Sequence, residues 1–252
     1  MAMTSVLVTG ATDGLGRVVA ADLADRGLEV HVHGRDRARV DAVAGEIGAA
    51  GAYVADFASL ADVRALVDAL PRLDVLVNNA GLISHDRVVT GDGIELTFQV
   101  NYLAPFLLTT ALLAGRPPRR VVHVASAGQM APDFGDLMLE DGYDEWRAYR
   151  QSKLAQIMFA FECAQRFPDV ESTALHPATF MDTKMVRSTI GDPHSTVREG
   201  ADATVRLAAD LSLDAQGRYF SGLEETRPSE LAYDPDARKR LWDVSEQLIA
   251  SS

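Results

Sequence analysis

Ser5-Val6-Leu7-Val8-Thr9-Gly10-Ala11-Thr12-Asp13-Gly14-Leu15-Gly16 is an apolar run that stops at a cluster of glycines, and a helical pattern through Leu15, Val18, Val19, Ala21 and Leu23 follows at once. The order is strand, glycine turn, helix. Gly10, Gly14 and Gly16 stand in a G-x-x-x-G-x-G arrangement. Residues without a Cβ let backbone approach a pyrophosphate, and the N-terminus of the helix offers it free N–H groups and a positive dipole end. Turns also collect glycine for other reasons, so the surrounding chain has to decide.

The surrounding chain alternates. Residues 28–33 read as strand, 37–47 as helix, 52–54 as a short strand, 59–70 as helix and 73–77 as strand. Such alternation predicts parallel strands joined by right-handed crossovers. Residues 90–113 then read as one long helix, 120–125 as a buried strand, 144–167 as a second long helix free of Gly and Pro, and 170–175 as another strand. Beyond this the periodicity weakens. Residues 183–195 carry Gly191 and Pro193 and read as a loop or lid, while 196–211 and 236–250 read as helices around a short strand at 218–220. No repeat, low-complexity linker or composition shift marks a second domain, so one domain is expected, with a lid over residues 183–200.

Composition limits the partners. The 252 residues are 47% hydrophobic and 24% charged, ordinary for a soluble globular chain, with a formal net charge of -12. That balance argues against a nucleic-acid surface or an anionic membrane partner, both of which need concentrated Lys and Arg. The single cysteine, Cys163, has no internal partner for a disulfide and reads as a small core hydrophobe. The chain starts without a basic segment leading into a long apolar stretch, and the apolar run 103–114 is interrupted by Pro105 and too short to span a bilayer. A cytoplasmic location is the expectation.

Two groups of residues carry chemistry. Tyr149 and Lys153 are four apart on the helix expected over 144–167, which sets a phenol beside an ammonium on one face. A neighbouring cation favours phenolate and moves the hydroxyl toward the range useful in general acid and base catalysis. Taken alone, such a pair is more often a packed ring with a snorkelling lysine. At the end of the second strand, His33-Gly34-Arg35 puts glycine where an acid would hold a ribose 2′-OH and a guanidinium directly after it. Arginine grips phosphate in a bidentate fashion, which favours NADP over NAD. Arg17 and Arg39 are candidate assistants, and Asp56, after the third strand, is placed to accept from an adenine amino group.

With Asn78-Asn79-Ala80-Gly81 closing the fourth strand, the chain resembles the short-chain dehydrogenase/reductase family. The resemblance runs through the glycine turn, Asp56, this Asn-Asn-Ala-Gly motif, Asn101 in Val100-Asn101-Tyr102-Leu103, Ser126, and Tyr149 with Lys153. Within the family it is similar to the retinol-dehydrogenase-like branch, from Phe98-Gln99-Val100-Asn101, Gln151-Ser152-Lys153-Leu154-Ala155 and the tail Arg240-Leu241-Trp242-Asp243-Val244-Ser245. The resemblance implies a doubly wound α/β Rossmann fold, a mainly parallel sheet of about seven strands flanked by helices. It also implies reversible hydride transfer between nicotinamide and a carbonyl or alcohol, without a metal.

In that picture Tyr149 is the general acid or base, Ser126 hydrogen-bonds the substrate oxygen, Lys153 lowers the Tyr149 pKa and binds the nicotinamide ribose, and Asn101 holds a relay water. The glycine turn contributes Gly10, Thr12, Asp13, Gly14, Leu15 and Gly16 to the cofactor. Arg35, Asp56, Phe57, Asn78, Ala80 and Gly81 line its adenosine and ribose, with Tyr149, Lys153, Thr179 and Thr183 near the nicotinamide. The family pairs through its two long central helices, here 90–113 and 144–167, so a homo-dimer or homo-tetramer is expected.

The chain departs from the pattern after its sixth strand. His176-Pro177-Ala178-Thr179 replaces the usual Pro-Gly, and Ala178 restricts a backbone that glycine would leave free. The segment between Ser126 and Tyr149, with Met130, Phe134, Leu137, Met138, Tyr143 and Trp146, is long and offers either an apolar substrate wall or a loop packed on the core. Two other functions share the fold. One is a catalytically idle NADP-sensing regulator; the other is a dehydratase or epimerase that uses the nucleotide internally.

Overall fold

The computed structural model describes residues 4–189 and 191–251. The first half alternates as expected: β1 (Ser5–Val8), α1 (Gly14–Asp25), β2 (Glu29–Gly34), α2 (Arg37–Ile47), β3 (Gly51–Val54), α3 (Leu60–Ala69) and β4 (Val75–Asn78). A short α4 (Leu96–Phe98) runs through a π-helical turn (Gln99–Leu103) into α5 (Ala104–Gly115), followed by β5 (Arg120–Val124), α6 (Glu145–Arg166) and β6 (Glu171–His176). The remainder holds α7 (Lys184–Thr189), α8 (Val197–Ala209), a hairpin of β7 (Tyr219–Ser221) and β8 (Glu224–Thr226), and α9 (Pro235–Ala250).

The strands form one sheet in the order β3-β2-β1-β4-β5-β6-β7-β8. All neighbours pair in parallel except β7 with β8. This is the doubly wound α/β architecture, with helices on both faces. Side chains alternate across a strand, so β1 feeds two cores at once: Val6 and Val8 pack toward α1 and α8, and Leu7 between them packs toward α3, α5 and α6. The strand order reverses between β1 and β4. A crevice opens at their carboxyl ends, where an open α/β sheet binds its ligand.

Three expectations change. Helix does not begin at Thr90. Gly91 and Gly93, the latter at φ +79°, form a turn that bridges Val89 to Glu95, and the buried Glu95 carboxylate then caps Thr97 and Phe98 N–H groups to start the helix at Leu96. An eighth strand pairs with β7 and escaped the sequence reading because Glu224-Glu225-Thr226, polar and exposed at the sheet edge, carries no hydrophobic period. The segment expected as a lid is partly helical at α7, and its last residues, 197–200, belong to α8, which a capping box of Thr196 and Glu199 starts. Ile190 of that lid lies outside the described residues.

α9 lies across α5 and α6. The Trp242 ring packs 5.0 Å from Phe106 and 5.8 Å from Phe159, and the buried Tyr102 hydroxyl meets Ser245 Oγ at 2.7 Å. The two helices expected to offer a pairing face are therefore bridged by the chain's own C-terminal helix. The helix Leu96–Gly115 is long and apolar enough by length and composition to cross a membrane, but 83% of its apolar window is buried inside the fold. It reads as a core helix.

Candidate active site

A cleft of about 630 Å³ follows the carboxyl ends of the strands. The glycine turn and Arg35 lie at one end, and Ser126, Tyr149 and Lys153 lie at the other. At the switch point the loops after β1 and β4 are tied together. Thr9 Oγ1 accepts from the N–H groups of Asn79 (2.9 Å) and Ala80 (3.0 Å), and Asn79 Nδ2 donates to Thr9 O at 2.8 Å. A Cβ on Gly10, at φ +66°, would lie 2.9 Å from Ala80 Cα, and one on Gly16 would lie 2.3 Å from Gly10 O. Only glycine closes this turn. The bare backbone so exposed, with α1 beginning behind it, fits a dinucleotide pyrophosphate.

Gly34 is fixed by packing. A Cβ there would approach Thr12 Cγ2 to 2.5 Å, so no acidic side chain can stand at that position without displacing the turn. Arg35 lines the cleft and has no hydrogen bond or ion pair among the described residues. Asp13 caps α1 and holds two cations, Lys184 of α7 at 2.7 Å and Arg39 at 2.8 Å. The Lys184 bond, helped by Gly14 N–H and Arg39, holds its carboxyl below the usual range although partial burial pushes the other way. The pair with Lys184 links the start of α7 to the glycine turn. Thr183 lies over the same turn, 3.4 Å from where a Gly14 Cβ would stand.

Thr12, Leu15, Asp56, Phe57, Ala80, Gly81 and Thr179 also line the cleft. Two expected residues do not. Asn78 is fully buried beneath it, donating to Thr109 Oγ1 at 2.9 Å, because period-two alternation turns the last residue of β4 toward α5 and leaves Asn79 to face the turn. As a cofactor contact it is corrected to a support. Asn101 sits in the π-helical turn, where Ala104 N–H reaches Gln99 O. Its Oδ1 accepts from Leu82 N–H (2.8 Å), and its Nδ2 donates to Leu82 O (2.9 Å) and to Ser152 Oγ (3.0 Å). It clamps the loop after β4 to α6 from behind the cleft wall.

The Tyr149 ring opens into the cleft, with the Ser126 hydroxyl beside its own. Lys153 Nζ lies 5.5 Å from the Tyr149 ring centre and donates to Val124 O (3.0 Å) and Gln156 Oε1 (2.8 Å). The expected lowering of the Tyr149 pKa is not what this arrangement produces. Burial, which disfavours phenolate, raises it, and the Ser126 bond offsets only part of that. Burial also lowers Lys153 to about 7.

Four supports escaped sequence reading. His33 Nδ1 accepts from Gly10 N–H at 3.3 Å while Nε2 donates to Ala55 O at 3.1 Å, so one neutral tautomer joins the glycine turn to the loop after β3. Burial lowers its pKa to about 4. On the far side, Tyr219 Oη donates to Ser126 O (3.0 Å), and Gln129 Nε2 donates to the same carbonyl (3.1 Å). Gln129 Oε1 is held in turn by Ser229 N–H at 2.8 Å. Arg150 lines the cleft beside Tyr149. A histidine inside a strand, or partners ninety residues apart, give no local periodic signal.

A model of the family described as short chain dehydrogenase matches residues 4–193. Retinol dehydrogenase 14 of Mus musculus is 35% identical over 293 residues, covering 97% of this chain and 85% of the relative. DnrU of Streptomyces sp. (strain C5), to which daunorubicin C-13 ketoreductase activity is ascribed, is 35% identical over 271 residues, covering 98% of this chain and 93% of that one. A crystal structure of a Mycobacterium paratuberculosis protein superposes with a TM-score of 0.83 at 30% identity, covering 99% of this chain and 94% of that chain. The chain belongs to the short-chain dehydrogenase family, oxidoreductases that transfer hydride with a nucleotide cofactor, and its relatives agree with the retinol-dehydrogenase-like branch.

Proposed function

We propose that this chain is an NADP(H)-dependent oxidoreductase acting on an apolar carbonyl or alcohol substrate, with Tyr149 as general acid or base. The observation that carries this reading is one continuous cleft joining the glycine turn and Arg35 to Ser126, Tyr149 and Lys153. The bound cofactor supplies or accepts the hydride. The chain's own residues do the rest. Ser126 Oγ accepts from Gly128 N–H at 3.0 Å, which holds the hydroxyl beside Tyr149, where its proton can turn to a substrate oxygen and stabilise charge developing there. Tyr149, kept neutral by burial, carries the proton that a carbonyl needs on reduction. Lys153 stands behind it as the ribose-binding cation, and Leu82, Ile83, Met181, Met185 and Val186 give the cleft an apolar wall. The names of the relatives, a retinol dehydrogenase and a ketoreductase, support an apolar alcohol or ketone.

The test is a panel of apolar ketones, aldehydes and alcohols followed at the nicotinamide absorbance with NADPH and NADH. Turnover with a preference for NADPH is expected. Tight nucleotide binding with no turnover would favour the sensing regulator. Conversion of a sugar nucleotide without consumption of added NADPH would favour the internal use of the nucleotide by a dehydratase or epimerase.

Two variants test the parts. Arg35→Ala is expected to weaken NADPH binding about thirtyfold, or about 2 kcal/mol, the scale of a charge-assisted hydrogen bond, with little change for NADH. An equal effect on both nucleotides contradicts the 2′-phosphate role. Tyr219→Phe removes one of the two bonds that fix Ser126 O, and kcat is expected to fall about tenfold with the NADPH dissociation constant unchanged, since a small misplacement at the reacting centre costs rate rather than cofactor affinity. A parallel loss of nucleotide binding would make Tyr219 a general structural support.

A further inference from the structure

Four cations line the cleft, and two are already engaged. Lys184 is paired with Asp13, and Lys153 donates to Val124 O and Gln156 Oε1. The guanidinium groups of Arg35 and Arg150 have no hydrogen bond or ion pair among the described residues, although the chain carries a net charge of -12 and most of its other arginines are bonded through theirs. An unpaired guanidinium in a cleft is a recognition group awaiting an anion. Arg35 stands at the cofactor end. Arg150 stands at the other, one residue from Tyr149 on α6.

Its position there is specific. The stem of Arg150 runs beside the loop that carries Ser126: a Cβ built on Gly128 would lie 3.6 Å from Arg150 Cγ and 3.5 Å from Ser126 Oγ. Arg150 O also holds Met130 N–H at 3.2 Å, fixing the helix against that loop. The guanidinium carbon lies 5.8 Å from the centre of the Trp146 ring, which itself meets Tyr149 edge-on at 6.3 Å. The two carboxylates that line the cleft, Asp13 and Asp56, belong to the glycine turn and the loop after β3, at the cofactor end. The substrate end therefore presents a flat ring and a guanidinium, set over that ring, that has no hydrogen bond or ion pair among the described residues.

We propose that Arg150 and Trp146 select a substrate with a flat apolar body and a carboxylate away from the reacting oxygen. The body lies against the Trp146 ring and the apolar wall, and the carboxylate takes the guanidinium fork in a bidentate pair. This rests on the proposed reading of the cleft as a carbonyl-reducing site, but binding alone tests it. Because the guanidinium is exposed, salt screens the pair and the advantage is of the order of tenfold rather than a thousandfold.

The experiment uses benzoate, 2-naphthoate and biphenyl-4-carboxylate, each against its primary amide, titrated into the full chain with and without NADP and read by tryptophan emission and calorimetry. At least one acid is expected to bind about tenfold more tightly than its amide. In Arg150→Gln that ratio should fall to about one, and in Arg150→Lys, which keeps the charge and loses the fork, it should recover in part. Raised salt should shrink the ratio in the unaltered chain only. Equal affinities in every pair, an acid preference that survives Arg150→Gln, or no binding of any probe would each overturn the proposal. Melting curves of both variants show whether they are folded. A failed Tyr149→Phe test would remove the hydride-transfer reading and leave these affinities as they are, so the two failures are distinguishable.

Discussion

Tyr149→Phe is expected to lower kcat about a thousandfold, equivalent to about 4 kcal/mol of transition-state stabilisation, while NADPH binds as before. The substitution deletes one oxygen and leaves the ring, with its edge contact to Trp146 and its place opposite Lys153, where they are. The proposed cofactor contacts are the glycine turn, Arg35 and the loops after β3 and β4, none of which bonds the phenol. What disappears is the proton donor and one partner of the Ser126 hydroxyl. A drop in kcat without a drop in nucleotide binding therefore assigns the hydroxyl to the chemical step. Retained turnover would take Tyr149 out of the mechanism and leave Ser126 without its proposed companion.

A second large effect concerns stability. His33 and His123 are buried and neutral, with burial lowering them from 6.5 to about 4 and to about 3 respectively. An unfolded imidazole takes up its proton near pH 6.5, whereas the folded ones resist until far lower pH. Between those values the unfolded state binds more protons, so stability is fully present above about pH 6.5 and is lost as pH falls toward about 4. For His33 the change corresponds to about 3 kcal/mol, a large share of a typical total of about 5–15 kcal/mol. Asp13, Asp182 and Asp210 have pKa values below 3.8 and stay ionised across this window, so the slope below about pH 6 belongs to the imidazoles, with Lys153, lowered to about 7, adding to it nearer pH 7. Urea midpoints should fall steadily from about pH 7 to about pH 5. His33→Gln retains a donor and an acceptor for Ala55 O and Gly10 N–H and should make the curve shallower, the remaining slope belonging to His123. A midpoint independent of pH over that range contradicts the account of the buried histidines.

The glycine turn could be read from sequence because its constraint is local: Gly10 and Gly16 admit no Cβ, and a strand and helix of ordinary pattern flank them. Tyr149 and Lys153 were legible for the same reason, since one helix fixes their spacing. Asn78 was misplaced although the information was present, because alternation along β4 already sends it to the core and Asn79 to the turn. Gly91 and Gly93 likewise announced a turn inside the run read as helix. The supports of the site were not legible. His33 acts through Gly10 and Ala55 on neighbouring loops, and Tyr219 reaches Ser126 from a strand on the far side of the fold. Their partners are set by tertiary packing, which a single sequence does not display. The sign of the Tyr149 shift belongs to the same class. Spacing reveals the neighbouring ammonium, but only the fold reveals that burial outweighs it and that Lys153 turns toward Val124 O and Gln156.

The central claim is that one cleft holds the dinucleotide with its nicotinamide facing Tyr149 and Ser126. A crystal structure of the chain with NADP and an apolar alcohol tests it most directly. The account predicts the 2′-phosphate at Arg35, the pyrophosphate over Gly14, and the alcohol oxygen within about 3 Å of both Tyr149 Oη and Ser126 Oγ. A nicotinamide outside the cleft, or a Tyr149 hydroxyl turned away from the alcohol, would contradict it.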